Sequence, residues 1–213
     1  MKDIPMFDTD TGVSTLLLKE VPYKQIAYVK VQSVQPGGLA DHLKECIGFC
    51  RMCGAEQILA AGHPELERYP LHCRVHTMAM AIPEGEPPAM VFPVTEATVG
   101  QWRQIYNEKM ASVHNAATMT AFDEKKILAS GGAVFVHEDG ALLGIGWVDG
   151  SEILCIAAVQ PGAGERIMLT LMTLLEGDRA ELEVASTNSR AIRLYERLGF
   201  VTVGERSSWY QIL

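Results

Sequence analysis

Residues 182–200, LEVASTNSRAIRLYERLGF, hold the side chains best spaced for chemistry in this chain. A short β run through Leu182 and Val184 ends in small polar residues. Asn188 follows, then a helical stretch carrying Ala191, Leu194, Tyr195 and Leu198, then a Gly199-Phe200 pair that opens another strand. In a doubly wound sheet ligands sit where strands end and helices begin, so Asn188 and Tyr195 fall at a mouth. A phenol, with a pKa of ~10, can donate a proton at neutral pH. Both residues also have plainer accounts: Asn188 as a helix cap, Tyr195 as a packed ring with its hydroxyl at the rim.

A second candidate lies upstream. Residues 153–160, ILCIAAVQ, form a nearly unbroken apolar run, as expected of a strand buried on both faces. It leads through Pro161 into Gly162-Ala163-Gly164-Glu165-Arg166, where a helix is expected to start. A helix N-terminus presents unpaired N–H groups and partial positive charge, which suits a pyrophosphate, and glycines let a ligand approach the backbone closely. Alone, such a Gly-x-Gly is more often a turn; beside Asn188 and Tyr195 it gains weight.

The elements around these residues can be read from pattern. Residues 90–95 form a strand, 96–116 a helix with Trp102, Ile105, Tyr106 and Met110 on one side, and 122–128 a shorter helix. Residues 132–137 and 141–148 flank Glu-Asp-Gly, a strong hairpin signal. A last strand runs over 201–213, with a break expected near Gly204. The breaker-rich segment 82–88, IPEGEPP, marks a linker, giving a module 1–82, a linker 83–88 and a domain 89–213. The two sides are related: Val34-Gln-Pro-Gly37 recurs 125 residues later as Val159-Gln-Pro-Gly162, and Leu43, Cys46, Ile47 and Cys50 fall on Met168, Leu171, Met172 and Leu175. Both halves therefore read strand, turn, amphipathic helix, strand. The segment 62–70 has no counterpart of Asn188, and Pro64 and Pro70 allow only a short helix there.

The pattern Val184-x-x-x-Asn188-x-x-Ala191-x-x-x-Tyr195-x-x-x-Gly199-Phe200 resembles the C-terminal half of the GCN5-related N-acetyltransferases (GNATs), which move an acyl group from coenzyme A to an amine. The resemblance covers roughly residues 90–213; the first 80 or so look like a partial, eroded copy. It implies an α/β fold with a mixed central sheet and helices on both faces, in tandem with a partial GNAT-like N-terminal module. It implies that Tyr195 protonates the leaving thiolate. The backbone of Ile156, Ala157, Ala158 and Val159 would pair with the pantetheine arm and stabilise an oxyanion. Gly162, Ala163, Gly164, Glu165 and Arg166 would hold the pyrophosphate, with Asn188 and the small Ala191 beside the donor. Relative to the family pattern the 159–166 loop is about three residues short, and Glu165 adds a like charge near phosphate. Glu152, opening the central strand, is the candidate general base, with Asp149 and His137 nearby in sequence. Acetyl-CoA is the implied acyl-donor substrate, no metal is expected, and the acceptor is a small amine or peptide amine.

Composition narrows the alternatives. A net charge of −8, with Lys125-Lys126 the only basic doublet, speaks against a nucleic-acid partner. No apolar run is long enough for a membrane span, and the N-terminus MKDIPMFDTD lacks a secretion signal. Five cysteines in a chain able to build its own core fit a reducing, cytoplasmic setting. Cys46, Cys50 and Cys53 have the C-x3-C-x2-C spacing of an iron–sulfur ligand set. The repeat, however, places Cys46 and Cys50 on a helix face occupied by leucines, where cysteine acts as a small hydrophobe. His72 and His76, if on one strand, lie ~13 Å apart and cannot share an ion. The readings in play are an N-acetyltransferase, a catalytically degenerate CoA-binding or structural protein, and an iron–sulfur enzyme.

Overall fold

In a computed structural model describing residues 3–114 and 116–213, the chain divides into two compact units. Unit 1 runs to Val75 and adds Glu205–Leu213; unit 2 is His76–Gly204. The first two residues of the N-terminal segment, and residue 115 within the expected helix 96–116, lie outside the described residues.

Unit 1 opens with a hairpin of β1 (Ile4–Thr9) and β2 (Gly12–Leu17) and a four-residue helix α1 (Val21–Lys24). It continues through β3 (Ile26–Val34), α2 (Leu39–Met52), β4 (Gln57–Ala61), a 3-10 turn (Pro64–Arg68) and the first part of β5 (Leu71–Ala81). Leu39, Leu43, Cys46 and Cys50 recur at helical spacing along α2 and bury against Ala27, Val29, Val31 and Ile58. Strands β3 and β4 are parallel and paired without interruption from Ile26–Gln57 to Lys30–Ala61.

Unit 2 contains β6 (Met90–Pro93), α3 (Val99–Met110), α4 (Ala121–Ser130), β7 (Ala133–Glu138) and β8 (Ala141–Asp149). Then come β9 (Glu152–Ala158), α5 (Gly164–Met172), β10 (Arg179–Ala185), α6 (Ser189–Leu198) and the start of β11 (Val201–Gln211). Its strands lie in the order β5-β10-β9-β8-β7-β6, and only β10 and β9 among the last five are parallel neighbours. Helices cover both faces. Trp102, Tyr106 and Ile127 of α3 and α4 bury Phe135, Ile145, Trp147, Cys155 and Ala157. Ile167, Met168 and Leu171 of α5, with Tyr195 of α6, bury Val136, Leu143, Ile153, Leu182 and Val184. Two glycines set the depth of α5: a Cβ at Gly146 would lie 2.4 Å from Leu171 Cδ2, and one at Gly144 2.7 Å from Ile167 Cδ1. The β7–β8 hairpin turns at Asp139 and Gly140, both with positive φ (49° and 76°), as a two-residue turn matching strand twist requires.

Several expectations are revised. The helix expected over 96–116 is Val99–Met110. Thr95 N–H donates to Thr98 Oγ1 and holds the chain in a turn until Val99, while Asn107 exchanges two hydrogen bonds with the Met119 backbone and draws the following segment back. Helix α5 ends at Met172, so Leu175, aligned with Cys50, lies beyond it. Thr170 and Thr173 hydroxyls donate to carbonyls three and four residues back, an arrangement that competes with continued helix. Strand β11 runs through Gly204 unbroken. The division between units falls inside β5, after Val75, because the later part of that strand joins the sheet of unit 2 beside β10; residues 83–88 then connect β5 to β6 within unit 2.

Candidate functional site

The parallel pair β9–β10 is joined only at Glu152–Glu181 and Ile153–Leu182, among the described residues. One residue further on, β9 is bulged. Ile153 pairs with Val148 and Cys155 with Trp147, leaving Leu154 as the extra residue on β9. A bulge turns a strand and ends pairing on one edge. Past it, β9 keeps its ladder to β8, from Cys155–Trp147 to Ala158–Gly144, but has none to β10. Residues 154–158 therefore offer backbone donors and acceptors along a split that opens toward the strand ends. Unpaired strand edges are where an extended ligand can add as another strand.

The open end of the split leads to the start of α5. Gly162 adopts φ 84° with open space where a Cβ would be, and Gly164 leaves only 2.9 Å between such a Cβ and Leu194 Cδ2 of α6. The α5 N-cap, Ala163, has no capping side chain. The first N–H groups of α5, on Gly164, Glu165 and Arg166, thus keep the free donors of an uncapped helix start. The Arg166 guanidinium is committed to Glu138 of β7, so its charge is shared with a carboxylate.

On the other side of the split, Asn188 is the N-cap of α6 and its Oδ1 accepts the Ala191 N–H at 3.2 Å. One and two turns on, Ala191 is half-buried and Tyr195 is 7% exposed. The Tyr195 ring packs against Phe200 at 5.8 Å, in the same core as Ile153, Leu182 and Val184. Burial first, and the neighbouring Cys155 thiol second, push its pKa up, so the phenol is held protonated. Its hydroxyl makes no hydrogen bond among the described residues. A buried unpaired hydroxyl costs about 1–3 kcal/mol and calls for a partner the protein itself does not supply.

Glu152 stands elsewhere. It is exposed and sits at the closed end of the split, where β9 is held on both sides, by Asp149 of β8 and Glu181 of β10. Four residues of extended chain place it ~13 Å from Ile156. A residue that the pattern reading passed over lies closer to the open end. His114, in the connection between α3 and α4, meets Thr187 through Nδ1 and Oγ1 at 2.9 Å. Thr187 immediately precedes the Asn188 cap. The two are 73 residues apart, and no spacing rule could have joined them.

No family model matches this sequence and no curated protein matches it. Solved structures do. A GCN5-related N-acetyltransferase from Kribbella flavida superposes with a TM-score of 0.57 at 14% identity, over 97% of this chain and 88% of that one. The fold is that of the GNATs. A GCN5-related N-acetyltransferase from Sphaerobacter thermophilus gives a TM-score of 0.55 at 12% identity, covering 94% of this chain and 76% of the other. A tandem GNAT protein from the clavulanic acid biosynthesis pathway gives 0.53 at 13%, covering 94% and 78%. Each of these superpositions covers 94% or more of this chain, so the likeness in fold takes in both units.

Within this GNAT fold the cysteine-rich stretch has a different place. Cys46 and Cys50 lie fully buried on the core face of α2, and burial pushes their thiols up to about 11 and about 12. Thiols held neutral in an apolar core are poor ligands for iron. Among the described residues no three His, Cys, Asp or Glu side chains are grouped to hold a metal ion, and no helix is long and apolar enough to cross a membrane.

Proposed function

We propose that this chain is an acyl-CoA-dependent N-acyltransferase, moving an acetyl group from acetyl-CoA to a primary amine of a small molecule or peptide by direct attack, in the cytoplasm. The observation that carries the reading is the β9–β10 split. Its unpaired edge, an uncapped helix start at one end and a buried unpaired phenol beside it match the three parts of an acyl-CoA: pantetheine arm, pyrophosphate and thioester sulfur.

Each residue then has a task. Backbone groups of Ile156, Ala157, Ala158 and Val159 align the pantetheine, and one N–H receives the oxyanion of the tetrahedral intermediate. The N–H groups of Gly164, Glu165 and Arg166 take the pyrophosphate, with Gly162 and Ala163 shaping the turn. Asn188 fixes the start of α6, so that Ala191 leaves room and Tyr195 points its proton at the sulfur. A phenol with a raised pKa is a weak acid in water. The departing thiolate, however, forms in the same desolvated split, where its own basicity rises in step. The test is calorimetric binding of acetyl-CoA combined with thiol release on a panel of primary amines.

A second reading rests on the short 159–166 turn and on the engagement of Arg166 by Glu138: a CoA-binding protein without turnover. It predicts acetyl-CoA binding with no thiol released on any amine.

A further inference from the structure

The proposed transfer needs a group that takes a proton from the incoming ammonium, and the split offers few. Residues 154–158 contribute one titratable side chain, Cys155, whose burial pushes its thiol up to about 12, and α6 contributes Tyr195, which is also held protonated. The turn 159–164 carries no charge, and Glu165 and the Glu138-paired Arg166 beyond it belong to the helix start read as the pyrophosphate site; the β10–α6 turn over 184–189 carries none, nor does the α3–α4 connection over 111–120, apart from one imidazole. That imidazole is His114, tied by its Nδ1 to Thr187 Oγ1 at 2.9 Å, next to the cap of the helix that carries Tyr195. The connection is fastened at its far end too, since Asn107 Nδ2 donates to Met119 O and Asn107 Oδ1 accepts from Met119 N, each at 2.8 Å.

We propose that His114, held at the open end of the split by Thr187, is the catalytic base that accepts the proton of the amine substrate. The inference rests on the transferase reading above. His114 takes one proton from the ammonium, directly or through one water. The freed nitrogen attacks the thioester carbonyl and the C–N bond forms. The C–S bond breaks as the sulfur takes the Tyr195 proton, and the second proton lost by the nitrogen restores the phenol. The imidazolium returns its proton to solvent, so one proton is released per amide formed. Imidazole suits this step because it is the side chain most often used as a general base. The charged groups nearest in sequence to the elements that face it are Lys109 and Asp123 on α3 and α4, and Glu183 and Arg190 on β10 and α6.

The experiment follows thiol release from acetyl-CoA with spermidine, phenethylamine and a peptide bearing a free lysine, carrying the fastest forward across pH 5–9. His114→Gln should lower kcat ~10²-fold and remove the acidic limb of the profile, with acetyl-CoA affinity by calorimetry unchanged. Thr187→Val, which keeps the imidazole but loosens it, should lose less and retain the limb. Wild-type turnover and an intact acidic limb in His114→Gln would overturn the assignment while leaving the transferase reading standing. Acetyl-CoA binding without thiol release on all three amines would instead overturn the transferase reading, and this inference with it.

Discussion

Tyr195 is a residue whose stability and chemistry pull in opposite directions. An unpaired hydroxyl in a core is a cost, and replacing it with hydrogen removes that cost. Tyr195→Phe should therefore leave the protein as stable or up to ~1 kcal/mol more stable in urea denaturation, while thiol release falls ~10²-fold at unchanged acetyl-CoA affinity. A loss of stability with full turnover would mean the phenol serves packing alone. A buried histidine in unit 1 provides the pH-sensitive counterpart. The His42 ring is fully buried, with Nδ1 2.7 Å from Thr9 Oγ1 and Nε2 2.7 Å from Ser14 Oγ. Thr9 Oγ1 also accepts N–H groups from Thr11 and Gly12 and lies within donating distance of Gly12 O, which ties the ring to the β1–β2 turn. Burial lowers the His42 pKa, opposed by Glu45. The unfolded chain therefore takes up the proton first as pH falls. The contribution of His42 to stability is complete above the unfolded value of ~6.5 and is lost progressively below it, toward the lower folded value. Melting midpoints at pH 7.5 and 5.5 should differ more in wild type than in His42→Gln.

At the scale of elements, the same strand–helix–strand order serves two ends. Strands β9 and β10 part after two residues, whereas β3 and β4 stay paired over five, and beyond them a Cβ on Gly62 would lie 2.4 Å from Val31 O. Among the described residues unit 1 thus shows no equivalent opening, and calorimetry should return one acetyl-CoA site per chain; two sites would contradict this. The glycines of β8 decide how closely α5 approaches. Gly146→Ala should destabilise by about 1–3 kcal/mol in urea, since Leu171 would have to move. Much of this was legible in the residues. The Asp139-Gly140 turn, the helical spacing of Leu43, Cys46, Ile47 and Cys50, and the Asn188–Tyr195 helix all follow from local pattern. The split was not, because an apolar run such as ILCIAAVQ reads the same whether its edge is paired or open, and a bulge at Leu154 is a matter of register. The engagement of Arg166 by Glu138 and the His114–Thr187 contact were hidden for the same reason, since both join residues distant in sequence.

For the molecule as a whole, the compact units divide after Val75 and again after Gly204, not at the breaker cluster 82–88. Unit 1 draws Tyr210, Ile212 and Leu213 into its core, and β11 pairs with β4 through Tyr210–Ala60 and Gln211–Leu59. A fragment ending at residue 82 lacks that strand and leaves the β4 edge bare. It should be largely unfolded or aggregated by circular dichroism and light scattering, and removal of residues 205–213 from the full chain should lower its melting midpoint. A soluble, cooperatively melting 1–82 fragment would show that β11 is dispensable to unit 1. Amide hydrogen exchange reads the unpaired edge of β9 directly. With saturating acetyl-CoA, peptides covering residues 153–160 should gain protection, while those covering 26–34 in unit 1 should not change. Acetyl-CoA binding that leaves the exchange of 153–160 untouched would rule out β9 as the edge that receives the pantetheine.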